Sequence, residues 1–435
     1  MTGLIPTGAP HAAELSDAQL ERRLQARRKW LGDAAFEYDL PLEPVRGDGV
    51  YLFDGAGHRY LDMHSNAPSM GHGHPEVVSA IAAQAATLNT HSGHLSNTVE
   101  AYAARLLGLF PAPLRNLVMT CSGSEANDLA LRVARMVTGR KGVIVTSRAC
   151  HGSTAATAEI SPGLRQPVPA HVRTIPAPDP RLAGKAELSS WFAARVREEA
   201  DMLQKTGAGL AALILDSVFS FEGVFTDPPG FLAQAVEAAR GAGGMFIADE
   251  VQAGFGRTGA MWGFSRHGVV PDMVTLGKPM GNGYPVGGVV MQADHLARLN
   301  ASAPYFSGCG GSPVAAAAAT AVLDVIEREH LLRNAGRSGD ALRKGLRRLA
   351  KSSPRIGDVR GAGLCFGVDL AVPGSGAPDP EAARGVVNAL RRNFVLAGRA
   401  APRGHTLLLR PPLSISTEQA EQFLEVFGRV LGMLG

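Results

Sequence analysis

The fold of this chain is decided by residues 243–288, which read GGMFIADEVQAGFGRTGAMWGFSRHGVVPDMVTLGKPMGNGYPVGG. Two short runs within this stretch, residues 245–248 and 273–276, are mainly apolar and lack the alternation of a half-exposed strand. Such runs are typical of strands buried on both faces, as in a parallel sheet that helices cover. The stretch therefore predicts an α/β fold.

Each predicted strand leads directly to a charged side chain. Asp249 ends the first strand, and Lys278 follows the second after one glycine, just before the glycine-rich residues 281–288. Ligands bind beyond the carboxyl ends of strands in open α/β sheets, so we expect both side chains to face a ligand. A lysine between a buried strand and a glycine loop is poorly solvated, which lowers its pKa and makes its amine nucleophilic. Lys278 is therefore a candidate for Schiff-base formation.

A third stretch completes a pattern of cofactor binding. Residues 117–120 predict a strand, residues 122–124 read SGS, and residues 125–135 predict a helix. Free N–H groups and the dipole at a helix start attract phosphate. Pyridoxal 5′-phosphate needs an amine for its aldehyde, an anion opposite its pyridine nitrogen and donors for its phosphate. Lys278, Asp249 and this turn together predict a site for that cofactor.

From about residue 46 to the C-terminus the chain resembles the class III aminotransferases, a branch of the type I pyridoxal-phosphate-dependent transferase fold. The motifs that carry the resemblance are residues 60–62 (YLD), 71–75 (GHGHP), 122–127 (SGSEAN), 151–152 (HG), 249–259 (DEVQAGFGRTG), 277–279 (GKP), 310–311 (GG) and 360–364 (RGAGL). The resemblance implies a large domain with a mainly parallel sheet and a smaller α/β domain built from both termini. The implied divisions are 1–70 for the N-terminal arm and part of the small domain, 71–325 for the large cofactor-binding domain and 326–435 for the C-terminal small domain.

The same resemblance implies a role for individual residues. Lys278 and Asp249 are the expected catalytic residues, as the Schiff-base lysine and the partner of the pyridinium nitrogen. The other expected cofactor contacts are Gly123 and Ser124 at the phosphate, Val251 on one ring face, Gln252 near the ring hydroxyl, and Cys150, His151, Ser307 and Gly308. The expected substrate contacts are Asn66, Phe219, Phe221 and Arg410. No metal is expected.

Two departures from the family pattern concern cofactor contacts. The family usually has an aromatic residue before the His-Gly motif, and Cys150 occupies that position here. It often has threonine followed by an aromatic residue before the Gly-Gly motif, where the threonine reaches the phosphate bound in the partner subunit. Gly308 and Cys309 stand there instead, and Ser307 substitutes for the threonine only if the loop shifts.

Further departures concern the substrate. Many members of the family use a glutamate at the position of Phe221 and an arginine at the position of Leu408 to switch between carboxylate and other substrates, and both are apolar here. Phe219 likewise replaces a common glutamine. Arg410 lies two residues beyond Leu408, on the same face of the strand, where it can receive an anion. The pocket is therefore less suited to an ordinary α-keto acid.

Three functions remain open on the sequence alone. The leading expectation is aminotransferase-type chemistry on a small primary amine or amino acid through Lys278. Residues 88–92 (LNTHS), 159–162 (EISP) and 278–283 (KPMGNG) resemble the ethanolamine-phosphate and phosphohydroxylysine phospho-lyases, so the alternative is a lyase that releases phosphate and ammonia. A non-catalytic pyridoxal-phosphate binding protein is the third, and the intact lysine argues against it.

Several polar residues near these motifs have two interpretations. His151 either touches the cofactor or caps its loop. Glu250 follows Asp249 and points to the opposite face of the strand, which favours a structural hydrogen-bonding role over a second acid. His72 and His74 have the spacing of metal ligands but lack a third ligand in the sequence, so we expect them to pack in a turn.

The overall composition excludes some classes of function. The 435 residues are 45% hydrophobic and carry a formal net charge of +4, with positive charge scattered along the chain. We therefore expect no nucleic-acid partner. The four cysteines lack metal-ligand and secretory spacing, and no apolar run reaches membrane-spanning length, which favours a reduced, cytoplasmic location without a membrane partner. The resemblance implies a homodimer with shared active sites.

Local patterns predict further elements at both ends of the chain. Residues 1–11 form a flexible lead, and Ser16 begins a helix that extends to Leu31. Residues 50–53 and 59–61 predict a hairpin. Three later segments predict helices, namely residues 313–328, 342–349 and 418–434.

Overall fold

We analysed a computed structural model of the chain. The structure describes residues 17–32, 36–164, 167–400 and 404–433. The predicted lead over residues 1–11 and the predicted cap at Ser16 lie outside these ranges. No helix within them is long and apolar enough to cross a membrane.

The helices occur throughout the described chain. Their bounds are α1 Asp17–Leu31, α2 Pro75–Thr87, α3 Asn97–Leu107, α4 Gly123–Thr138, α5 Ala155–Glu159, α6 Pro180–Ala183, α7 Leu188–Lys205, α8 Ala233–Gly241, α9 Ala293–Ser302, α10 Pro313–Arg328, α11 Leu331–Ser352, α12 Pro380–Arg392 and α13 Thr417–Met433. Short 3₁₀ turns also occur, including one over Ser220–Glu222 and one over Lys278–Gly281.

The strands are grouped in three sheets. Their bounds are β1 Pro44–Asp48, β2 Tyr51–Asp54, β3 Arg59–Asp62, β4 Asn116–Thr120, β5 Gly142–Thr146, β6 Val172–Ile175, β7 Leu210–Asp216, β8 Met245–Asp249, β9 Met273–Leu276, β10 Gly287–Met291, β11 Ile356–Ala362, β12 Cys365–Leu370, β13 Val395–Leu396, β14 Gly398–Arg399 and β15 Thr406–Leu409.

The largest sheet has seven strands in the order β4-β10-β9-β8-β7-β5-β6. Strand β10 is antiparallel to both of its neighbours, and the pairs from β9 to β6 are parallel. Every residue of β8 and β9 is buried, as the two apolar runs predicted. Helix α4 contacts β7, β9 and β10, while α7 and α8 pack together and contact strands β5 to β8. The structure thus confirms the α/β class and the parallel-rich sheet.

Two four-stranded sheets join distant parts of the chain. One has the order β1-β2-β3-β13, in which the C-terminal strand β13 runs parallel to β3 of the predicted hairpin. The other has the order β11-β12-β15-β14 and is antiparallel in the pairs β11/β12, β12/β15 and β15/β14. Both sheets therefore bring N-terminal or C-terminal residues toward the seven-stranded sheet, although the division into domains stays a prediction.

A buried charge network fastens the second small sheet to the loop after β7. Asp369 of β12 accepts two hydrogen bonds of 2.7 Å from Arg360 of β11 and one of 2.6 Å from Thr406 of β15. Arg360 also donates to the carbonyl oxygen of Gly223 at 2.9 Å. Since Gly223 follows the 3₁₀ turn that contains Phe221, this network holds a cavity-lining loop in place.

Candidate active site

The carboxyl ends of most strands of the seven-stranded sheet meet at one edge. Because β10 is antiparallel to both β4 and β9, strand β4 points in the same direction as the parallel strands. A cavity of about 450 Å³ opens at this edge, where α/β proteins bind ligands. The predicted site residues that line it are Gly123, Ser124, Cys150, His151, Phe221, Asp249, Val251, Gln252 and Lys278.

The Asp249 carboxylate is held in one orientation by hydrogen bonds. Its Oδ2 lies 2.9 Å from Asn127 Nδ2 and 2.7 Å from His151 Nδ1, and its Oδ1 accepts from the backbone N–H of Val251 at 3.0 Å. Thr275 Oγ1 fixes the Asn127 amide in turn, at 2.6 Å. A negative charge with a fixed direction is therefore placed in the wall of the cavity, and His151 both supports it and lines the cavity.

The Lys278 side chain extends into the cavity, where a ligand can reach it, while protein atoms surround it on the other sides. Burial lowers the pKa of its amine, Asp249 acts in the opposite direction, and the positive charge of Arg410 lowers the pKa further. The net direction is downward, so a larger fraction of the amine is unprotonated than for a lysine in water. This is the state that a nucleophile requires.

The start of α4 provides a cradle for an anion. Ser122 caps the helix by accepting the N–H of Glu125 at 3.2 Å, and Glu125 in turn accepts the N–H of Cys121 at 3.0 Å. This capping box leaves the first-turn N–H groups of Gly123 and Ser124 facing the cavity. A side chain at position 123 would approach Val251 Cγ2 to 2.7 Å, so only glycine fits there.

The family model of the class III aminotransferases matches residues 34–431. The chain belongs to the class III aminotransferase family. This match spans the described α/β core and all residues named in the cavity.

Named relatives of this class III member include aminotransferases and phospho-lyases. A Drosophila melanogaster protein named alanine–glyoxylate aminotransferase 2-like is 39% identical over 426 residues, which are 94% of this chain and 86% of the relative. The Caenorhabditis elegans ethanolamine-phosphate phospho-lyase homolog 1 is 33% identical over 459 residues, which are 99% and 98% of the two chains. Among solved structures, a phospholyase from Arthrobacter in complex with phosphoethanolamine is 40% identical, with a TM-score of 0.91 over 95% of this chain and 100% of the other.

Class III aminotransferases are pyridoxal-phosphate enzymes, and the residues of this cavity fit that cofactor. A side chain at position 152 would meet Ser124 Oγ at 2.6 Å, so glycines on two loops keep the phosphate cradle open. His151 Nε2 is buried without a hydrogen-bond partner in the described part of the chain. Lys278, Asp249 and the first turn of α4 supply the amine, the anion and the phosphate donors that the cofactor requires.

Arg410, which follows β15, is not one of the residues that line the cavity, but it lies directly beside Gln252, which is one of them. The guanidinium is buried and donates from Nη1 to Gln252 Oε1 at 2.9 Å. Burial lowers the pKa of Arg410, but a guanidinium remains protonated in proteins. Asn66 also donates hydrogen bonds to Gln252. Asn66 and Arg410, which were expected to contact the substrate, therefore both contact Gln252, which was expected to contact the cofactor.

Five predicted contacts lie outside the cavity lining, namely Asn66 and Arg410, which contact Gln252, and Phe219, Ser307 and Gly308. The Phe219 side chain is 1% exposed and packs in the core, edge-on against Phe192 and tilted against Phe231, so the prediction that it contacts substrate is wrong for this structure. Gly308 lines a neighbouring depression together with Cys121 and Tyr284, and the Ser307 hydroxyl accepts the N–H of Gly310 at 2.8 Å. Neither Ser307 nor Gly308 contributes to the cavity that contains Lys278.

The sequence analysis missed two polar residues of the cavity. Asn127 is the last residue of the motif at 122–127. It lies one helical turn after Gly123, and this spacing indicates that both residues face the cavity. Asp216 ends β7 directly beside Asp249 in the sheet register. Burial, followed by repulsion from Asp249, raises the pKa of Asp216. Asp216 could have been identified in the same way as Asp249, because it is also a carboxylate at the end of a buried strand.

The remaining polar residues of the motifs have structural partners. Glu250 accepts hydrogen bonds from Ser217 Oγ at 2.6 Å and from the N–H groups of Gly263 and Phe264, which agrees with its predicted structural role. His72 lies 2.7 Å from Asp62, and His74 lies 3.1 Å from Glu329. Within the described ranges, no group of three or more His, Cys, Asp or Glu side chains has the arrangement of a metal site.

Proposed function

We propose that this class III member is a phospho-lyase that removes phosphate and ammonia from a small phosphorylated primary amine. The observation that carries the proposal is the Arg410 guanidinium, which is buried next to the cavity while no described carboxylate lies within ion-pairing distance of it. A buried cation without a counter-ion is costly. A substrate phosphate supplies the missing negative charge.

The loop after β7 supports a substrate that is always anionic. Phe221 lines the cavity at the position where many relatives have the switching glutamate. The neighbouring Glu222 points elsewhere and accepts the N–H of Arg148 at 2.9 Å. An aminotransferase must bind two different substrates in one pocket, and no described carboxylate of this pocket lies within ion-pairing distance of Arg410, although Asp216 acts on it from further away. A lyase binds only one substrate, and if that substrate is always anionic, the positive charge of Arg410 never needs to be neutralised by the protein.

The named phospho-lyases support the same choice. The Arthrobacter structure contains phosphoethanolamine, and the Caenorhabditis elegans relative is named for ethanolamine phosphate. The match to the Arthrobacter structure covers the whole of the solved chain, and the match to the Caenorhabditis elegans relative covers 98% of that relative, so neither likeness is confined to one part of those chains. We therefore take phosphoethanolamine as the first test substrate.

Each residue of the site has a defined task in this reaction. Pyridoxal phosphate, when bound, supplies the aldehyde that captures the substrate amine and a ring that accepts electrons. The Asp249 carboxylate keeps the proton on the ring nitrogen, and the α4 N–H groups hold the cofactor phosphate. The Lys278 amine takes a proton from the amine-bearing carbon and later returns it.

Arg410 acts on the other end of the substrate. Its guanidinium binds the substrate phosphate and stabilises the charge that increases on the phosphate as its bond to the neighbouring carbon breaks. With one water added, the overall products are a carbonyl compound, ammonia and inorganic phosphate.

Amino transfer to a keto acid is the second candidate. It is favoured by the Drosophila relative, which at 39% identity is named as an aminotransferase. Both candidates use Lys278 and Asp249 in the same way, so they differ only in what happens to the substituent on the neighbouring carbon.

One experiment separates the two candidates. The purified protein with bound cofactor is incubated with phosphoethanolamine, phosphohydroxylysine or an unphosphorylated amine, each with and without keto acids. Release of phosphate and ammonia over many turnovers without a keto acid supports the lyase. One turnover per cofactor that resumes only with a keto acid establishes amino transfer and rejects the lyase.

A variant of Arg410 tests the role of the buried cation. Arg410→Met keeps the length of the side chain, and we expect it to raise the KM for phosphoethanolamine about 100-fold, since an anion loses its charged partner. Arg392→Met, on the exposed face of α12, is the control and leaves KM unchanged. An unchanged KM in the Arg410 variant contradicts the proposed phosphate contact.

A further inference from the structure

Asn66, Gln252 and Arg410 form a cluster in which two side chains bind the same amide oxygen. Asn66 Nδ2 donates to Gln252 Oε1 at 2.8 Å and to the backbone oxygen of Gln252 at 3.1 Å, while Arg410 Nη1 donates to the same Oε1 at 2.9 Å. All three side chains are more than nine-tenths buried. An amide oxygen has two lone pairs, so both are used.

The orientation of the Gln252 amide follows from the chemistry of its two partners. Arg410 has donors and no acceptor. Asn66 must turn its NH₂ group toward Gln252, because the backbone oxygen there accepts only. If the Gln252 amide were rotated by 180°, its NH₂ group would face two sets of donors and both hydrogen bonds would be lost. Oxygen therefore faces the cluster, and Nε2 points away from it.

The opposite end of the amide faces the cavity. Gln252 lines the cavity that contains Lys278, and Nε2 has no hydrogen-bond partner in the described ranges. The cation behind the oxygen polarises the amide, which strengthens its N–H groups as donors. The cavity thus contains a directed donor whose acceptor must come from a ligand.

We propose that Asn66 and Arg410 are positioning residues that lock Gln252 as a donor to the ring hydroxyl oxygen of the bound cofactor. The donor stabilises the deprotonated oxygen, so the cluster lowers the pKa that the absorption of the bound cofactor reports. The inference is independent of whether the enzyme is a lyase or an aminotransferase, because the cofactor is bound before any substrate.

The decisive variant is Asn66→Asp, which has the same shape but offers only acceptors toward Gln252. The new acceptor favours the rotated amide, which places its oxygen against the cofactor oxygen, and only Arg410 still favours the original orientation. We expect the cofactor pKa, measured by absorption across pH without substrate, to rise by about one unit. The dissociation constant of the cofactor, measured by fluorescence titration, rises about tenfold. Gln252→Glu keeps an oxygen that accepts from Asn66 and Arg410, but it replaces the NH₂ group that faces the cavity by a second oxygen. We therefore expect it to raise the cofactor pKa and the dissociation constant in the same way.

A matched control and a milder variant make the test decisive. Asn334→Asp makes the same change at a half-buried amide that donates to the carbonyl oxygens of Leu413 and Ile415, so it lowers the melting temperature without changing the cofactor pKa. Asn66→Ala removes one donor and shifts the cofactor pKa less, in the same direction. If both Asn66 variants lower the melting temperature while the cofactor pKa and affinity stay unchanged, the role is merely structural and the proposal is overturned.

Discussion

Lys278 combines two properties that rarely occur together in one lysine. Its amine is accessible from the cavity, yet the protein atoms around the amine keep much of the water away and thereby lower its pKa. Asp249 acts against this shift, while Arg410 reinforces it. The balance of these charges decides how much of the amine is ready to react at neutral pH.

Removal of this amine tests whether the chain is catalytic or only binds the cofactor. We expect Lys278→Ala to reduce turnover by roughly 10³-fold or more, since both the nucleophile and the proton carrier are lost. Phosphate and ammonia release with phosphoethanolamine is the measurement. Lys344→Ala, on the exposed side of α11, retains full turnover. Equal rates in the Lys278 variant and the unmodified enzyme would mean that another group performs the chemistry.

Cys150 occupies the place where relatives stack an aromatic ring on the cofactor. The thiol lines the cavity, and burial raises its pKa, so it is a small neutral group there. We expect Cys150→Phe to lower the dissociation constant of the cofactor several-fold, because stacking contributes about 0.5–1.5 kcal/mol. Fluorescence titration measures the change, and Cys150→Ala serves as the size control. Weaker binding in the phenylalanine variant would show that the space is needed for another purpose.

Residues at strand ends were predictable, whereas residues on irregular loops were not. Asp249 and Lys278 follow buried strands, so the geometry of a parallel sheet places both at one edge. Phe219 lies three residues beyond the end of β7 with a φ of 52°, a left-handed conformation that turns its ring into the core. Alignment with a family position does not reveal such a turn.

At the scale of elements, α11 shows what local pattern cannot reveal. The sequence predicted a helix over residues 342–349, but the helix extends over Leu331–Ser352. Gly336, Gly339 and Gly345 lower helix propensity and concealed its length. A side chain at position 339 would lie 2.1 Å from the carbonyl oxygen of Gly363, so close packing against another segment requires glycine there. In contrast, α10 matches the predicted residues 313–328, since its alanine-rich sequence has strong intrinsic propensity.

The charge network between β11, β12 and β15 makes stability depend on pH. Burial alone would raise the pKa of Asp369, but hydrogen bonds from Arg360, together with His405 and Thr406, lower it well below its usual value. A depressed carboxylate pKa contributes stability above the unfolded pKa, and this contribution is lost as the pH falls below about 4. The acid sensitivity of this sheet therefore depends on Asp369.

Asp369→Asn tests that dependence. We expect it to cost about 3 kcal/mol at pH 7, because Arg360 loses its buried counter-ion and keeps only the more exposed Asp358. Its unfolding free energy then declines less between pH 7 and pH 3 than that of the unmodified protein, as measured by urea titration at each pH. Asp358→Asn, which removes an exposed partner of the same arginine, costs only about 0–1 kcal/mol. Parallel pH slopes for Asp369→Asn and the unmodified protein would contradict this account.

At the scale of the whole molecule, an exposed aromatic side chain, Phe306, lies beside the depression that contains Gly308. Leu95 is 95% exposed and Phe306 is 66% exposed, and the Phe306 ring lies 5.6 Å from that of His91. His91 and Gly308 line the same depression. Such a patch next to a cofactor site is typical of a surface that a partner covers. The predicted homodimer would bury it.

We expect Phe306→Asp to shift a dimer toward monomer in sedimentation equilibrium, since a charge is placed in an apolar contact. Cofactor affinity decreases with it if the two subunits share their sites. Val372→Asp introduces the same charge at an exposed valine in the loop after β12 and leaves the mass unchanged. A fully active monomer of the unmodified chain would reject the dimer. The cytoplasmic location stays a prediction from the sequence.

The parallel pairing of β3 with β13 has a consequence for how the protein is made. Tyr38 donates to the carbonyl oxygen of Ala397, which lies 359 residues further along the chain. The cluster of Asn66, Gln252 and Arg410 is likewise incomplete until residue 410 has been synthesised. Synthesis proceeds at about 5–20 residues per second, so the first residues wait on the order of tens of seconds for their partners. The N-terminal strands therefore stay without their C-terminal partner while the central sheet is synthesised.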